Sequence, residues 1–483
     1  MVAINADEQH TPPGEIILLP RPVRKAGGGK NDKGEEGNAE HGCTLDHPRP
    51  LVRSRNEFLL FRTADLRLSG RLMRFSFAAL SLLVFTLSAG AQEWTRFRGP
   101  NGSGAGKADL PEQITDKNIL WRSALPGTGH SSPVIWGDRV FLTSTPSAAT
   151  DADARRIVVC IGAKDGKILW QREFSTGAYR KHSDNSFASP SCAVDAERVY
   201  FWAAGPEKSI LVAMAQADGK EIWQRELGPF QSQHGSGTSP FVLDDAVVLA
   251  SDQDGPGSFV QAFDAKSGAT RWKADMKSGK HTIATPCILS AKDGPQIIAT
   301  TFANGLVALD AKTGKRAWEL PDLFTLRCVA SPIITDGGLI VGQCGEGSAN
   351  SLVEVVKPGA KPEKAYEVIR TGGYVPTPIV VGDLLFLWKE NGFVTCLRAA
   401  TNEQLWSERV EGPYYASPIC IGGKGGRLYN ITRAGELVVI AADEKFRLIQ
   451  RYPLGERNSF ATPAVSGGHL YVRTYSQLIS IGK

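Results

Sequence analysis

The chain has 483 residues, 42% hydrophobic and 22% charged, with a formal net charge of +5; residues 92–483 keep 43 Lys/Arg against 40 Asp/Glu, a net +3. That balance describes an ordinary globular protein and gives no electrostatic footprint for nucleic acid. The length suits two or three domains or one large repeat array, so internal repetition is the first property to seek.

Residues 1–72 include Gly27-Gly28-Gly29-Lys30 and Lys33-Gly34-Glu35-Glu36-Gly37, a polar Gly-rich stretch without apolar periodicity. They read as a disordered or mis-assigned extension upstream of a true start at Met73. Met73-Arg74, the apolar run 75–87 and Ala89-Gly90-Ala91 read as a signal peptide over 73–91, cleaved after Ala91. The expected product is periplasmic or secreted, without a transmembrane anchor, since the run is short for a bilayer span. No Cys follows it to support lipid anchoring. Residues 92–118 then form a leader.

Over 119–483 a Ser/Thr-Pro step followed by apolar residues occurs eight times, at Pro133, Pro190, Pro240, Pro286, Pro332, Pro378, Pro418 and Pro463, with spacings of 57, 50, 46, 46, 46, 40 and 45. Each spacing is the length of a four-stranded blade, so an all-β, eight-bladed β-propeller with antiparallel blades is predicted. A second signature lags the first and ends in Trp170, Trp223, Trp272, Trp318 and, in a weaker copy, Trp406. Four residues earlier stand Gly166, Gly219, Gly268, Gly314 and Asn402, residue types that accept positive φ in a tight turn. Ten residues earlier stand the small Cys160, Ala213, Ala262, Ala308 and Cys396, read as core positions. The tryptophans are expected on outer strands, wedged against the next blade.

The repeat Ala308-Leu309-Asp310-Ala311-Lys312-Thr313-Gly314-Lys315-Arg316-Ala317-Trp318 resembles the PQQ-like, or quinoprotein dehydrogenase-like, propeller repeat. The leader Trp94-Thr95-Arg96-Phe97-Arg98-Gly99-Pro100-Asn101-Gly102 resembles the opening of secreted bacterial proteins of this class, many of them BamB-like. Blades five and seven depart from the pattern, with Tyr366 near the Trp position and no clear Gly turn around Phe446. The last blade stops before an outer strand, and Ile119-Leu120-Trp121-Arg122 is expected to supply it, removing an open edge.

The loops leading into the Ser/Thr-Pro steps are expected at one mouth of the channel, with the loops between second and third strands. The first four carry His130, His182, His234 and His281; the later ones carry Arg327, Tyr374, Tyr414, Tyr415, Arg457 and Asn458. Four imidazoles suit a transition metal, yet they stand three, eight, six and five residues before their prolines, at differing heights, so solvated or loop-bonded histidines are favoured over a metal site. The Arg/Tyr/Asn side suits an anionic or sugar-like group, against the blander reading of a wet polar rim. Asp252-Gln253-Asp254-Gly255 starts like a calcium loop but lacks the later ligands, which favours a plain turn. Seven cysteines follow residue 91, and Cys328 and Cys344 flank a hairpin turn at Asp336-Gly337, making them a candidate disulfide.

The resemblance implies one enzyme hypothesis, a PQQ-dependent dehydrogenase of alcohols or sugars with PQQ and calcium. Its dehydrogenases carry a disulfide between adjacent cysteines, and this chain has no Cys-Cys pair, no Cys-x-x-Cys-His haem site, and no position matching the family's calcium ligands or catalytic Asp. Apart from residues 145–156 the loops read as short, leaving little material for a closed chamber. The favoured reading is a non-enzymatic binding or scaffold propeller, BamB-like, with no cofactor and no metal. It is expected to be a monomer engaging a protein or envelope component, including a peptide or glycan.

Overall fold

A computed structural model describes residues 93–146, 154–347 and 349–483; the predicted extension (1–72) and signal peptide (73–91) lie outside them. Eight blades of four antiparallel strands each follow one another, as predicted, and the seventh sheet carries a fifth strand from the leader. Blade 1 comprises Val134–Trp136, Arg139–Ser144, Arg155–Gly162 and Ile168–Ser175. Its third strand is a β-branched run buried everywhere but Arg155, because both faces meet other blades, whereas the outer strand exposes most of its residues and buries Trp170.

The two sequence signatures interlock from blade to blade. Each Trp stands directly opposite the small residue of the preceding strand, Cys160 facing Trp170 and Ala213 facing Trp223, with a bulge in its own strand immediately before it. Its indole then covers the Gly turn of the next blade: a Cβ on Gly219 would come within 2.5 Å of Trp170, and one on Gly314 within 2.4 Å of Trp272. Glycine is thus required twice over, for φ near +70° and for the close approach of the neighbour's ring. The indole N–H completes the contact, Trp170 donating to Gln216 O at 2.8 Å and Trp223 to Ala265 O at 3.0 Å. Trp318 differs, donating to Gln296 Oε1 within its own blade at 2.9 Å.

The two irregular blades keep the same plan. Tyr366 takes the Trp position of blade 5, opposite Val355, and its hydroxyl reaches Ala399 O of blade 6 at 2.6 Å. In blade 7 that position is Gln450, opposite Val439, and its amide holds the N–H and C=O of leader residue Ile114 at 2.8 and 2.6 Å. Phe446 fills the turn instead of Gly and packs edge-on against Trp406 at 5.3 Å.

Closure occurs as predicted: Ile119–Ala124 pairs antiparallel with Gln477–Ile481 and completes blade 8. A second device closes the inner end of the channel. Ser132, Ser191, Ser239, Thr285, Ser331, Thr377, Ser417 and Thr462 form a belt in which each backbone N–H donates to the hydroxyl of the next blade, at 2.8–3.1 Å, ending with Thr462 N–H on Ser132 Oγ. In blade 2 the belt residue is Ser191, not Ser189, and Cys192 stands where the other blades have proline, so Pro190 is not the equivalent landmark.

Beyond the belt, away from the approach loops, the leader crosses the channel. Trp94 bridges Ile135 of blade 1, Thr95 O accepts from Val194, Asn101 exchanges two hydrogen bonds with Ile288 of blade 4, and Ala105–Gly106 pairs in parallel with Cys420–Ile421 of blade 7. Arg98 is fully buried and donates to five carbonyls, those of Gly102, Ser103, Thr377, Pro378 and Pro418, at 3.0–3.3 Å. Arg96 donates to Pro286 O and lies 4.2 Å over the Phe241 ring. The leader therefore plugs the propeller and ties six blades together.

The candidate disulfide is not formed. Cys328 and Cys344 are free and buried in one apolar cluster beside the bridge between Arg327 and Gly345. Burial pushes both thiols up, which disfavours the thiolate that disulfide chemistry requires. Among the described residues no helix is long and apolar enough to cross a membrane.

Candidate functional site

The mouth of the channel opens into a cavity of about 1050 Å³. Its wall follows from strand periodicity: side chains two residues apart face the same way, so each belt residue brings the residue two before it into the cavity. That upper tier runs His130, Ser189, Gly237, Ile283, Val329, Val375, Tyr415 and Phe460 around the eight blades. Blades 7, 8 and 1 thus present an aromatic sector and blades 2 to 6 a small and aliphatic one. Phe97 of the leader, half-buried, forms the floor.

Above the aromatic sector Arg433, from the loop between the second and third strands of blade 7, lies 4.5 Å over Tyr415 and 4.8 Å over Phe460. Asp184 holds it there, one carboxylate oxygen 2.6 Å from Arg433 Nη2 and the other accepting from the Tyr415 hydroxyl at 3.0 Å. Asp184 belongs to the irregular segment 176–192 between blades 1 and 2, so this segment straps the mouth as far as blade 7. It is a long loop, concealed in the sequence because Ser189-Pro190 resembles a strand start. His130 packs 4.3 Å from Phe460, and burial, with Arg473 nearby, lowers its pKa to about 3.

On the opposite side His182 and His234 stack at 5.7 Å. Arg327 Nε donates to His281 O at 3.1 Å and its Nη1 lies 3.5 Å from His234 Nε2. Burial lowers the His234 pKa, and Arg327 adds to the effect. Asp254 accepts from the backbone N–H of His281 at 2.9 Å and of Gln233 at 2.7 Å. Glu390 Oε1 accepts from the N–H groups of Tyr374 and Val375, both at 2.5 Å, and burial raises its pKa against those bonds. Asp252, raised to about 6 by burial, accepts from Ser258 at 2.9 Å. The Asp252–Gly255 segment therefore spends its carboxylates on loop structure.

Of the residues singled out in the sequence, His130, His182, His234, Arg327, Tyr374 and Tyr415 line the cavity. His281 does not; it is 1% exposed behind the wall, its Nδ1 3.0 Å from Ser232 Oγ. Tyr414 is fully buried, its hydroxyl on Glu411 O and its ring against Trp388, because alternation turns it away from its neighbour Tyr415. Arg457 and Asn458 lie exposed outside the cavity, Asn458 at φ 60°. Sequence reasoning missed Asp184, Arg433, Phe460, Glu390 and Phe97. Phe460 carried a usable signal, two residues before Thr462 in step with His130 and Tyr415.

PQQ with calcium needs several cations converging on its carboxylates and a cluster of oxygen ligands for the ion. Arg433 is engaged by Asp184, and among the described residues no group of three or more His, Cys, Asp or Glu side chains converges to hold a metal. The residues present do not fit that pair.

A family model described as outer membrane protein assembly factor BamB matches residues 113–286 and 154–407. The chain belongs to the BamB family of PQQ-like propellers. BamB of Yersinia pestis is 23% identical over 285 residues, 58% of this chain and 64% of that protein. A quinohemoprotein alcohol dehydrogenase of Pseudomonas putida is 28% identical over 116 residues, 22% of this chain and 16% of that protein. The match thus spans less than two thirds of either relative. Among solved structures, BamB from Moraxella catarrhalis superposes with a TM-score of 0.53 at 14% identity, covering 76% of this chain and 97% of that one. Quinohemoprotein alcohol dehydrogenase from Comamonas testosteroni gives 0.57 at 14%, covering 81% of each chain. The fold is shared by this BamB-family propeller, the assembly factors and the dehydrogenases, and fold alone does not choose between them.

Proposed function

We propose that this BamB-family propeller is a non-enzymatic binding protein of the periplasm or exterior, whose mouth receives a peptide segment of a partner protein. One observation carries the reading: four ionisable groups of the rim, Asp184, Asp254, Glu390 and Arg327, are committed to holding loops. Asp184 holds Arg433 and Tyr415, Asp254 holds two backbone N–H groups, Glu390 holds two more, and Arg327 holds His281 O. A catalytic site keeps an acid, base or nucleophile poised toward substrate, whereas these four are spent on shape. The wide cavity, with one aromatic and one aliphatic side, suits the mixed chemistry of a polypeptide.

A photo-crosslinking residue at Tyr374 is expected to capture an envelope protein, and one at Glu173 on the outer strand of blade 1 is not; the reverse pattern would move the site off the mouth. The second reading, a PQQ-dependent dehydrogenase of alcohols or sugars, is favoured by the quinoprotein relatives. It is tested by thermal shift with PQQ and calcium, where a true cofactor at a hundredfold its Kd adds about 2.7 kcal/mol and no stabilisation is expected here. N-terminal sequencing of the native protein is expected to begin at Gln92, with 73–91 removed.

A further inference from the structure

Positive charge lies buried around the hydroxyl belt, behind the residues that line the cavity. Arg96, Arg98 and Arg473 are 4%, 0% and 0% exposed, and each donates to backbone carbonyls next to the hydroxyl belt: Arg96 to Pro286, Arg98 to Thr377 and Pro378, Arg473 to Ser131 at 3.1 Å. Among the described residues none of the three forms an ion pair. Glu456 acts on Arg473 from a distance, and its carboxylate is engaged by Ser476 at 2.6 and 3.0 Å. Arg96 Nε and Arg473 Nε are buried without an acceptor. Unpaired buried cations are costly, and the carbonyls that hold these three leave a net positive potential at the belt.

The belt itself offers donors. Every belt hydroxyl accepts a backbone N–H, which uses an oxygen lone pair and leaves its own O–H to point elsewhere; among the described residues no acceptor receives those protons. Seven of the eight hydroxyl residues line the cavity, Ser191 being the exception. The floor between them is the partly exposed Phe97 ring, and the collar above it on blades 4 to 6 is Ile283, Val329 and Val375.

We propose that this floor is a carboxylate site that receives the C-terminal carboxylate of the peptide segment entering the mouth, with the belt hydroxyls as donors and Phe97 as the seat for its last side chain. The inference rests on the reading of the mouth as a peptide site and adds the direction of insertion and the chemistry of the end. Oxyanions accept several O–H donors at once, and a low-dielectric channel strengthens those bonds. The apolar collar favours a carboxylate borne on an apolar residue over a strongly hydrated ion such as phosphate. The acids that line the cavity, Asp184, Asp254, Glu346 and Glu390, belong to the rim, and Asp184, Asp254 and Glu390 are engaged there as described above.

The test titrates the full chain with benzoate, benzamide and inorganic phosphate, and with a hexapeptide ending in phenylalanine as free acid and as C-terminal amide. Benzoate and the acid peptide are expected to bind at least about tenfold more tightly than their neutral amides, as for charge-assisted hydrogen bonds. Thr285→Val and Thr377→Val, which remove belt donors while keeping shape, are expected to narrow that ratio. In crystals soaked with 4-iodobenzoate, the iodine anomalous peak is expected in the cavity above Phe97, a result that stands even if a belt variant fails to fold. Equal binding of acids and amides, a preference for phosphate, or iodine outside the channel would overturn the proposal. Crosslinking at Tyr374 alongside equal acid and amide binding would sink the floor site and leave the peptide-binding mouth intact. Loss of that crosslink alone would sink the mouth reading instead.

Discussion

The two ends of the channel are built on opposite principles. At the inner end the leader fills the bore, buries Arg98 against five carbonyls and adds a parallel strand to blade 7, with backbone hydrogen bonds that leave little freedom. At the mouth the wall is irregular loop, and charged side chains a quarter to a third exposed, such as Asp184 and Arg433, make the contacts. Stability is concentrated where the chain closes on itself, and chemical variety where closure is not required. Substitutions at the inner end should therefore act on folding, and those at the mouth on binding with folding nearly unchanged.

The largest effect is expected from deleting residues 119–125. Blade 8 would lose the strand paired with Gln477–Ile481, exposing an edge and opening the ring. The product is expected to aggregate or to lose cooperative melting, and a retained sharp transition would argue that closure is dispensable. Arg98→Met is expected to follow, costing about 2–4 kcal/mol in denaturant unfolding. Five carbonyls lose their donor, and relief of the buried charge offsets only part of that loss. A cost under about 0.5 kcal/mol would show that the plug is not what secures the inner end.

The contrast also explains what could be read from the sequence. Blade number, the outer-strand Trp positions and the closing strand rest on local, repeated chemistry, and the Ser/Thr-Pro count reached eight even though Pro190 marked the wrong serine. The belt shows why: the demand is for a hydroxyl whose oxygen meets the previous blade's N–H, met in blade 2 by Ser191 with Cys192 after it. Proline is a frequent companion, not the functional atom. The plug and the strap were not legible, because Arg98 with Pro418 and Asp184 with Arg433 join residues 320 and 249 positions apart. Tyr414 and Tyr415 show the intermediate case, in which composition placed aromatics at the mouth and only strand phase decided which one faces it.

A smaller effect is expected from pH at the mouth. Burial holds His130 neutral, with a pKa lowered to about 3 from the ordinary 6.5, so between those values the unfolded chain binds a proton that the folded one does not. Stability must therefore fall as pH drops from about 6.5 toward 3. His130→Phe, which keeps the packing on Phe460, removes this contribution, and its stability should fall less steeply with acid, by up to about 1.4 kcal/mol per pH unit. Parallel curves for the two proteins would mean that His130 reaches solvent when protonated.

The smallest effect on folding is expected at the strap, which makes Asp184→Asn the sharpest probe of the contrast. The substitution weakens the pair with Arg433 and the acceptor for the Tyr415 hydroxyl, both partly exposed, so global unfolding should change by no more than about 1 kcal/mol. Locally the consequence is larger. Segment 176–192 is otherwise held near blades 2 and 3 by contacts such as His182 N–H to His234 O at 3.1 Å and Tyr179 to Ser236 at 2.7 Å, and none of these reaches blade 7. Loss of the latch should raise amide exchange at Lys181–Asn185 severalfold while exchange in the third strand of blade 1 stays unchanged. If the strap is what a peptide must displace, the same variant binds peptide faster, since Arg433 no longer has to be released from Asp184. An exchange pattern that spreads into blade 1 would instead make the strap part of the structural frame, and the two ends of the channel would be less different than their chemistry suggests.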